Sequence, residues 1–143
     1  SPRPVNDREA VARQLGREPQ PFRVAARCPF GRPSVIENER SRTMPTRFWI
    51  TCPHLDKEIA RVESTGGVRA AQEALGDEIV QEIHEQHRAF YGNRVAGVRE
   101  GGYVKCLHAF TALHLSGTIP NPVAEWTLEH IAESYPENGC CTK

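Results

Sequence analysis

The sequence predicts an α+β fold, a small three-stranded antiparallel sheet packed against a mostly helical C-terminal half. Three observations predict it. Residues 22–51 alternate short apolar runs with proline, glycine and polar breaks, the punctuation of strands. From Leu55 onward the apolar residues recur at helical spacing instead, at Leu55, Ile59 and Val62 and again at Ile79 and Ile83. A chain of 143 residues is one ordinary domain with room for a single core.

The elements follow in order. Residues 1–5 are expected to be a disordered tail, 6–135 a single domain and 136–143 a flexible tail. Asn6 can cap a helix from Asp7 to about Leu15, which Gly16 stops. Pro19 and Pro21 break the chain before three short strands, Phe22–Cys28, Ser34–Asn38 and Thr46–Thr51. As a meander, the first and third strands run the same way, so Cys28 and Cys52 emerge at one end of the sheet, each followed by a proline that ends pairing. A helix through Leu55, Ile59 and Val62 ends at Gly66 and Gly67, followed by a short helix Val68–Leu75. Ile79, Val80, Ile83, His87, Phe90 and Tyr91 mark a longer helix from about Asp77 to Tyr91, and Gly92 to Tyr103 reads as a glycine-rich loop. A helix is expected from Val104 to Ser116, and after Pro120 and Pro122 a last one runs from Val123 to about Ser134. The expected core draws on Phe48, Ile50, Leu55, Ile59, Ile83, Phe90, Leu107, Phe110, Leu113 and Trp126.

Composition excludes several functions. Eighteen basic and eighteen acidic residues cancel, so no global field recruits nucleic acid or an anionic membrane surface. No apolar run reaches the roughly 20 residues of a membrane helix, and no secretory signal is visible. Five cysteines at irregular spacings suit a reducing compartment better than a disulfide framework, so a cytoplasmic protein is expected. The partner is then an unknown protein or small molecule.

Chemistry is carried by Cys28, Cys52 and Cys106, the last two forming Cys-x-His pairs with His54 and His108. Thiolate plus imidazole suits zinc, and four such donors make a closed tetrahedral site whereas three leave a place for water. Residues two apart point to opposite sides of a helix but share a face of an extended segment, so each pair needs non-helical backbone. Pro53 biases Cys52 toward it. Cys106 and His108 converge if Cys106 caps its helix, but if the helix already runs from Val104, Cys106 is a buried apolar thiol beside Ala109, Phe110 and Leu113. A third reading makes Cys106 a nucleophile, its thiolate favoured by a helix N-terminus and Lys105, with His108 or His54 as base.

Other motifs carry less. His84 and His87 flank Glu85-Gln86, one residue short of the zinc-protease helix, and read as solvated or half-buried histidines. Gly101-Gly102 before Lys105 has no phosphate-loop pattern. Arg40, Arg42 and Arg47 lie beside Glu37 and Glu39, an ordinary mixed surface. Cys140 and Cys141 fall in the C-terminal tail and are left out of the site.

Several segments together resemble a known family. Residues Arg27 to Ile36 (RCPFGRPSVI), Pro45-Thr46, Thr51 to Leu55 (TCPHL), Arg61-Val62-Glu63, Val104 to Ala109 (VKCLHA) and Asn121-Pro122 look like the bacterial, mainly actinobacterial, domain-of-unknown-function family 501. The resemblance spans Asp7 to about Ile131. It implies a cytoplasmic bacterial protein without an established activity, and it singles out Cys28, Cys106 and His108. Some relatives carry a histidine at position 52, an exchange that suits a metal ligand, whereas His54 lies outside the family's pattern.

The expected site is therefore Cys28, Cys52, Cys106 and His108 around one ion, zinc first, with an iron–sulfur cluster as the lesser version because the usual four-cysteine spacing is absent. Such a closed site staples the fold of a binding or regulatory module. The alternative is an enzyme that uses Cys106 as a thiolate or an open metal position, distinguished by a vacancy in the ligand shell beside a pocket.

Overall fold

Why the sheet lies between one helix and many follows from its register. In the computed structural model, which describes residues 6–39, 47–92, 94–97 and 103–131, strands β1 (Phe22–Arg27), β2 (Pro33–Asn38) and β3 (Phe48–Ile50) pair antiparallel in the order β1-β2-β3. Val35 lies opposite Ile50 and Glu37 opposite Phe48, so these side chains share one face, and Ile36 opposite Trp49 takes the other. Val35, Phe48 and Ile50 join the main core. Ile36 is equally buried but faces away, against helix α1 (Asp7–Leu15) with its buried Ala10 and Val11. Gln14 Nε2 donates to the Pro33 carbonyl at 2.7 Å, and Arg27 grips Asp7 with both terminal nitrogens, at 3.1 and 2.7 Å. The fold is α+β, the sheet carrying α1 on one face and the helical C-terminal half on the other.

Helix ends follow from the caps. The Asn6 side chain accepts from Arg8 N–H and Gly16 closes α1 in the left-handed region, as its sequence dictates. Helix α2 (Pro53–Ser64) begins after an extended Cys52, with Pro53 at its first position. Gly66, at φ 86°, turns the chain, and a Cβ on Gly67 would overlap the Val62 carbonyl, so α3 (Gly67–Leu75) starts hard against the end of α2. Helix α4 (Asp77–Tyr91) and a 3-10 turn at Val95–Gly97 precede α5 (Leu107–Leu115) and α6 (Pro122–His130). The Asn121 amide accepts from Ala124 N–H and donates to the carbonyls of Phe110 and Ile119, fastening α6 to α5.

Several expectations change. Helix α5 begins at Leu107 rather than Val104, because Cys106 is extended at φ −158° and Val104 N–H is spent on Gln72 Oε1 at 2.8 Å. Helix α6 ends at His130, short of Ser134, since Ile131 leaves helical geometry at ψ 135°. Phe90 is 65% exposed instead of core, because the buried stripe of α4 runs Val80, Ile83, His84, His87 and on to Tyr91, which meets Phe48 edge-on at 5.9 Å. Trp126 only borders the core and stacks on His130. The tails 1–5 and 132–143, the polar segment 40–46 and half of the glycine-rich loop, 93 and 98–102, lie outside the described residues, as do Arg40, Arg42, Gly101, Gly102, Cys140 and Cys141.

His84 and His87 are fully buried rather than solvated or half-buried. The His84 ring donates from Nε2 to the Tyr103 carbonyl at 2.7 Å and accepts Val95 N–H at Nδ1 at 3.1 Å, so the neutral ring holds both ends of the segment that leads to α5. Burial disfavours the imidazolium and pushes the His84 pKa below 6.5, with Arg94 adding to that effect and the Tyr103 carbonyl and Glu85 opposing it.

Two outcomes follow. Phe110 is fully buried, so Phe110→Ala should cost about 3–5 kcal/mol in chemical unfolding, whereas Phe90→Ala should stay within about 0.5 kcal/mol. Because the His84 pKa is depressed, the stability it lends is complete above its unfolded value of about 6.5 and is lost as pH falls through the lower folded value. Urea midpoints measured from pH 7 to 5 should fall, with a shallower slope in His84→Gln.

Candidate metal centre

The start of α5 packs directly on α2, which it touches from Asp56 to Glu63. Cys106 is the N-cap residue of α5, and its sulfur accepts Ala109 N–H at 3.4 Å. With Cys106 extended and His108 in the first helical turn, side chains two residues apart converge. From α2, the Glu63 carboxylate takes Leu107 N–H on Oε2 at 2.7 Å, which fixes it at the positive end of α5, and turns Oε1 to His108 Nδ1 at 3.1 Å. Glu63, Cys106 and His108 each offer a ligand atom, all within 4.8 Å of one another, and among the described residues they form the group of His, Cys, Asp and Glu side chains that meets this spacing.

The opposite edge of the imidazole belongs to Asp56, two turns before Glu63 on the same face of α2. His108 Nε2 lies 3.2 Å from the Asp56 main-chain carbonyl and 3.0 Å from its Oδ1. A carbonyl only accepts, so Nε2 carries a proton. Nδ1 of a neutral ring would then point a lone pair at Glu63 Oε1, and a cation, either a proton or a metal ion, has to lie between the two atoms. With a proton there, burial works against the charge. The hydrogen bond with Cys106, the Glu63 carboxylate, the Asp56 carbonyl and the Cys106 charge outweigh it and raise the His108 pKa from 6.5 to about 9.

The cleft beside the cluster has a volume of ≈ 290 Å³ and is walled by Phe48, Trp49 and Ile50 of β3, by Asp56, and by Cys106, His108 and Ala109. Cys28 and Cys52 stand outside the cluster. Both are buried and neither is in a disulfide, and both lie at the end of the sheet where connectivity puts them, Cys28 N–H on the Arg32 carbonyl and Cys52 N–H on the Ser34 carbonyl. Cys52 packs in the main core, and His54 is half-buried at the start of α2. Of the four expected ligands the fold thus gathers Cys106 and His108, and joins them to Glu63. Glu63 and Asp56 were not among the expected site residues. Their signal is two acids seven residues apart on one helix, which share a face.

A family model described as "Protein of unknown function (DUF501)" matches residues 24–96 and 79–129, a span that holds every residue of the cluster. The chain belongs to that family. Neither the curated proteins nor the solved structures contain a match.

In the metal-free chain the His108 ring resonances should titrate near pH 9, and Glu63→Gln, which removes an attracting charge, should lower that midpoint. A raised pKa lends stability that is complete below about 6.5 and lost as pH rises through about 9, so wild type should lose more stability than His108→Gln over that interval.

Proposed function

We propose that this member of the DUF501 family binds a divalent transition-metal ion, zinc first, through Glu63, Cys106 and His108 Nδ1, with a further coordination position open to the cleft. The observation that carries the reading is the approach of Glu63 Oε1 to a ring nitrogen whose partner nitrogen is already committed as a donor. Two light-atom ligands of one tetrahedral zinc lie about 3.3 Å apart, close to the 3.1 Å between these atoms. The donor set is also matched in charge, since a carboxylate and a thiolate neutralise a divalent ion. Asp56 on Nε2 would fix the tautomer and orientation of the ligating ring, the common arrangement behind a zinc-bound histidine.

Such an ion would tie α2 to the start of α5 and so staple the fold, as the sequence suggested, but through three protein ligands instead of four. Three ligands plus water is the arrangement of sites that polarise a carbonyl or activate water. A second reading, Cys106 as a thiolate nucleophile paired with an imidazolium, is favoured by the hydrogen bond between Cys106 and His108 and by their place in the cleft wall.

Calorimetric titration of chelator-stripped protein with zinc separates the two. The metal reading expects one ion per chain, binding weakened at least about 100-fold in Cys106→Ser and His108→Ala, and about 10-fold or more in Asp56→Asn. Cys28→Ser and Cys52→Ser should bind with little change. A chain that takes up no zinc, and whose melting curve ignores chelator while iodoacetamide modifies Cys106 selectively, supports the thiolate reading instead.

A further inference from the structure

Among the described residues, one thiol stands where a small solute reaches it. Cys28 and Cys52 are 5% and 0% exposed, whereas Cys106 is half-buried and forms part of the wall of the ≈ 290 Å³ cleft, beside His108. Its sulfur lies at the positive end of α5 and meets two donors, Ala109 N–H at 3.4 Å and the His108 ring. Donors of this kind hold negative charge on sulfur, and an accessible thiolate is the form that peroxides oxidise.

The ligand set makes the consequence specific. Glu63, Cys106 and His108 offer a single sulfur, so losing it leaves a divalent ion with one anionic donor. The start of α5 does not rely on that ion alone. The 3.1 Å between Glu63 Oε1 and His108 Nδ1 takes a proton as well as a metal, Glu63 Oε2 keeps Leu107 N–H at 2.7 Å, and Gln72 keeps Val104 N–H at 2.8 Å. Release of the ion therefore has a folded state to go to.

We propose that Cys106 is a site of reversible oxidation by hydrogen peroxide or an alkyl hydroperoxide, which turns the thiolate ligand into a sulfenic acid and frees the ion. The sulfur lone pair attacks one peroxide oxygen, and the S–O bond forms as the O–O bond breaks. The leaving hydroxide or alkoxide takes a proton from solvent, so sulfur gives up two electrons and the peroxide receives them. A neutral sulfenic acid no longer supplies the deprotonated sulfur that the ion needs. Among the described residues no second thiol joins the cluster, so a small thiol completes the cycle: it displaces water to form a mixed disulfide, and a second molecule of it releases the Cys106 thiolate. The inference rests on the metal reading for ion release, whereas the oxidation itself does not need the ion.

The test uses the full chain carrying Cys140→Ser and Cys141→Ser, zinc-loaded and chelator-stripped, with hydrogen peroxide, a colorimetric zinc indicator and dimedone as the label for sulfenic acid. One zinc per chain should leave as Cys106 takes up one dimedone, at least about tenfold faster than Cys28 or Cys52 is labelled. Dithiothreitol given in place of dimedone should restore zinc uptake. The urea midpoint of the oxidised chain should match that of the chelator-stripped one, because both close the Glu63 to His108 gap with a proton. Four results overturn the proposal: no label on Cys106, zinc that stays bound while Cys106 is labelled, release that dithiothreitol does not reverse, or an oxidised chain whose midpoint falls well below the stripped one. A chain that takes up no zinc before peroxide overturns the metal reading, and labelling of Cys106 in that chain still decides the oxidation.

Discussion

Where α5 begins decides whether this chain has a site. A Cys-x-His pair inside a helix would divide its side chains between opposite sides, and Cys106 would be one more buried thiol. The helix instead starts one residue later, with Cys106 at φ −158°, and its first turn swings His108 back over the sulfur. Three contacts hold that start in place. Val104 N–H is taken by Gln72 from α3, Leu107 N–H by Glu63 from α2, and Ala109 N–H by the Cys106 sulfur itself. The segment before them is clamped at Val95 and Tyr103 by the two nitrogens of His84. The N-terminal donors of a helix have no partners of their own, and here Glu63 of α2 takes that of Leu107 while the Cys106 cap takes that of Ala109.

Glu63 shows how economical that arrangement is. One oxygen neutralises the positive end of α5 and the other addresses His108, so the carboxylate that builds the helix start also joins the Cys106–His108 cluster. Its position depends in turn on the close passage from α2 into α3, where Gly67 has no room for a side chain beside the Val62 carbonyl. The cluster is coupled to the core for the same reason: Leu107, Ala109 and Phe110 are buried beside Cys106 and His108, while Phe48 and Ile50 form both core and cleft wall.

Much of the fold was legible because its signals are local. Asn6 and Gly16 bound α1, Leu55, Ile59 and Val62 mark α2, Asp77 to Tyr91 follows helical spacing, and Pro120-Asn121-Pro122 turns the chain into α6. What failed was decided by tertiary contacts. The start of α5 depends on Gln72 and Glu63, far away in sequence, so apolar spacing placed it too early. Phe90 was assigned inward by its chemistry, yet Tyr91 takes the place beside Phe48 and the 100° step of a helix turns Phe90 outward. His84 reads from sequence as solvated or half-buried, and its full burial is not legible because a histidine satisfied by two main-chain groups has no sequence signature. At the site, sequence identified Cys106 and His108 by residue type. It overlooked Glu63 and Asp56 because acids on a helix are usually solvated, and only the packing of α2 against α5 distinguishes these two.

The central claim, a single ion held by one thiolate, one imidazole and one carboxylate, is tested most directly by the absorption spectrum of the cobalt(II)-substituted chain. The account predicts a thiolate-to-cobalt charge-transfer band of one sulfur's intensity, unchanged in Cys28→Ser and Cys52→Ser and absent in Cys106→Ser, with ligand-field bands that shift when azide enters the open position. A band of three sulfurs' intensity that Cys28→Ser and Cys52→Ser each diminish, and ligand-field bands that azide leaves unmoved, would contradict it and point to a closed site.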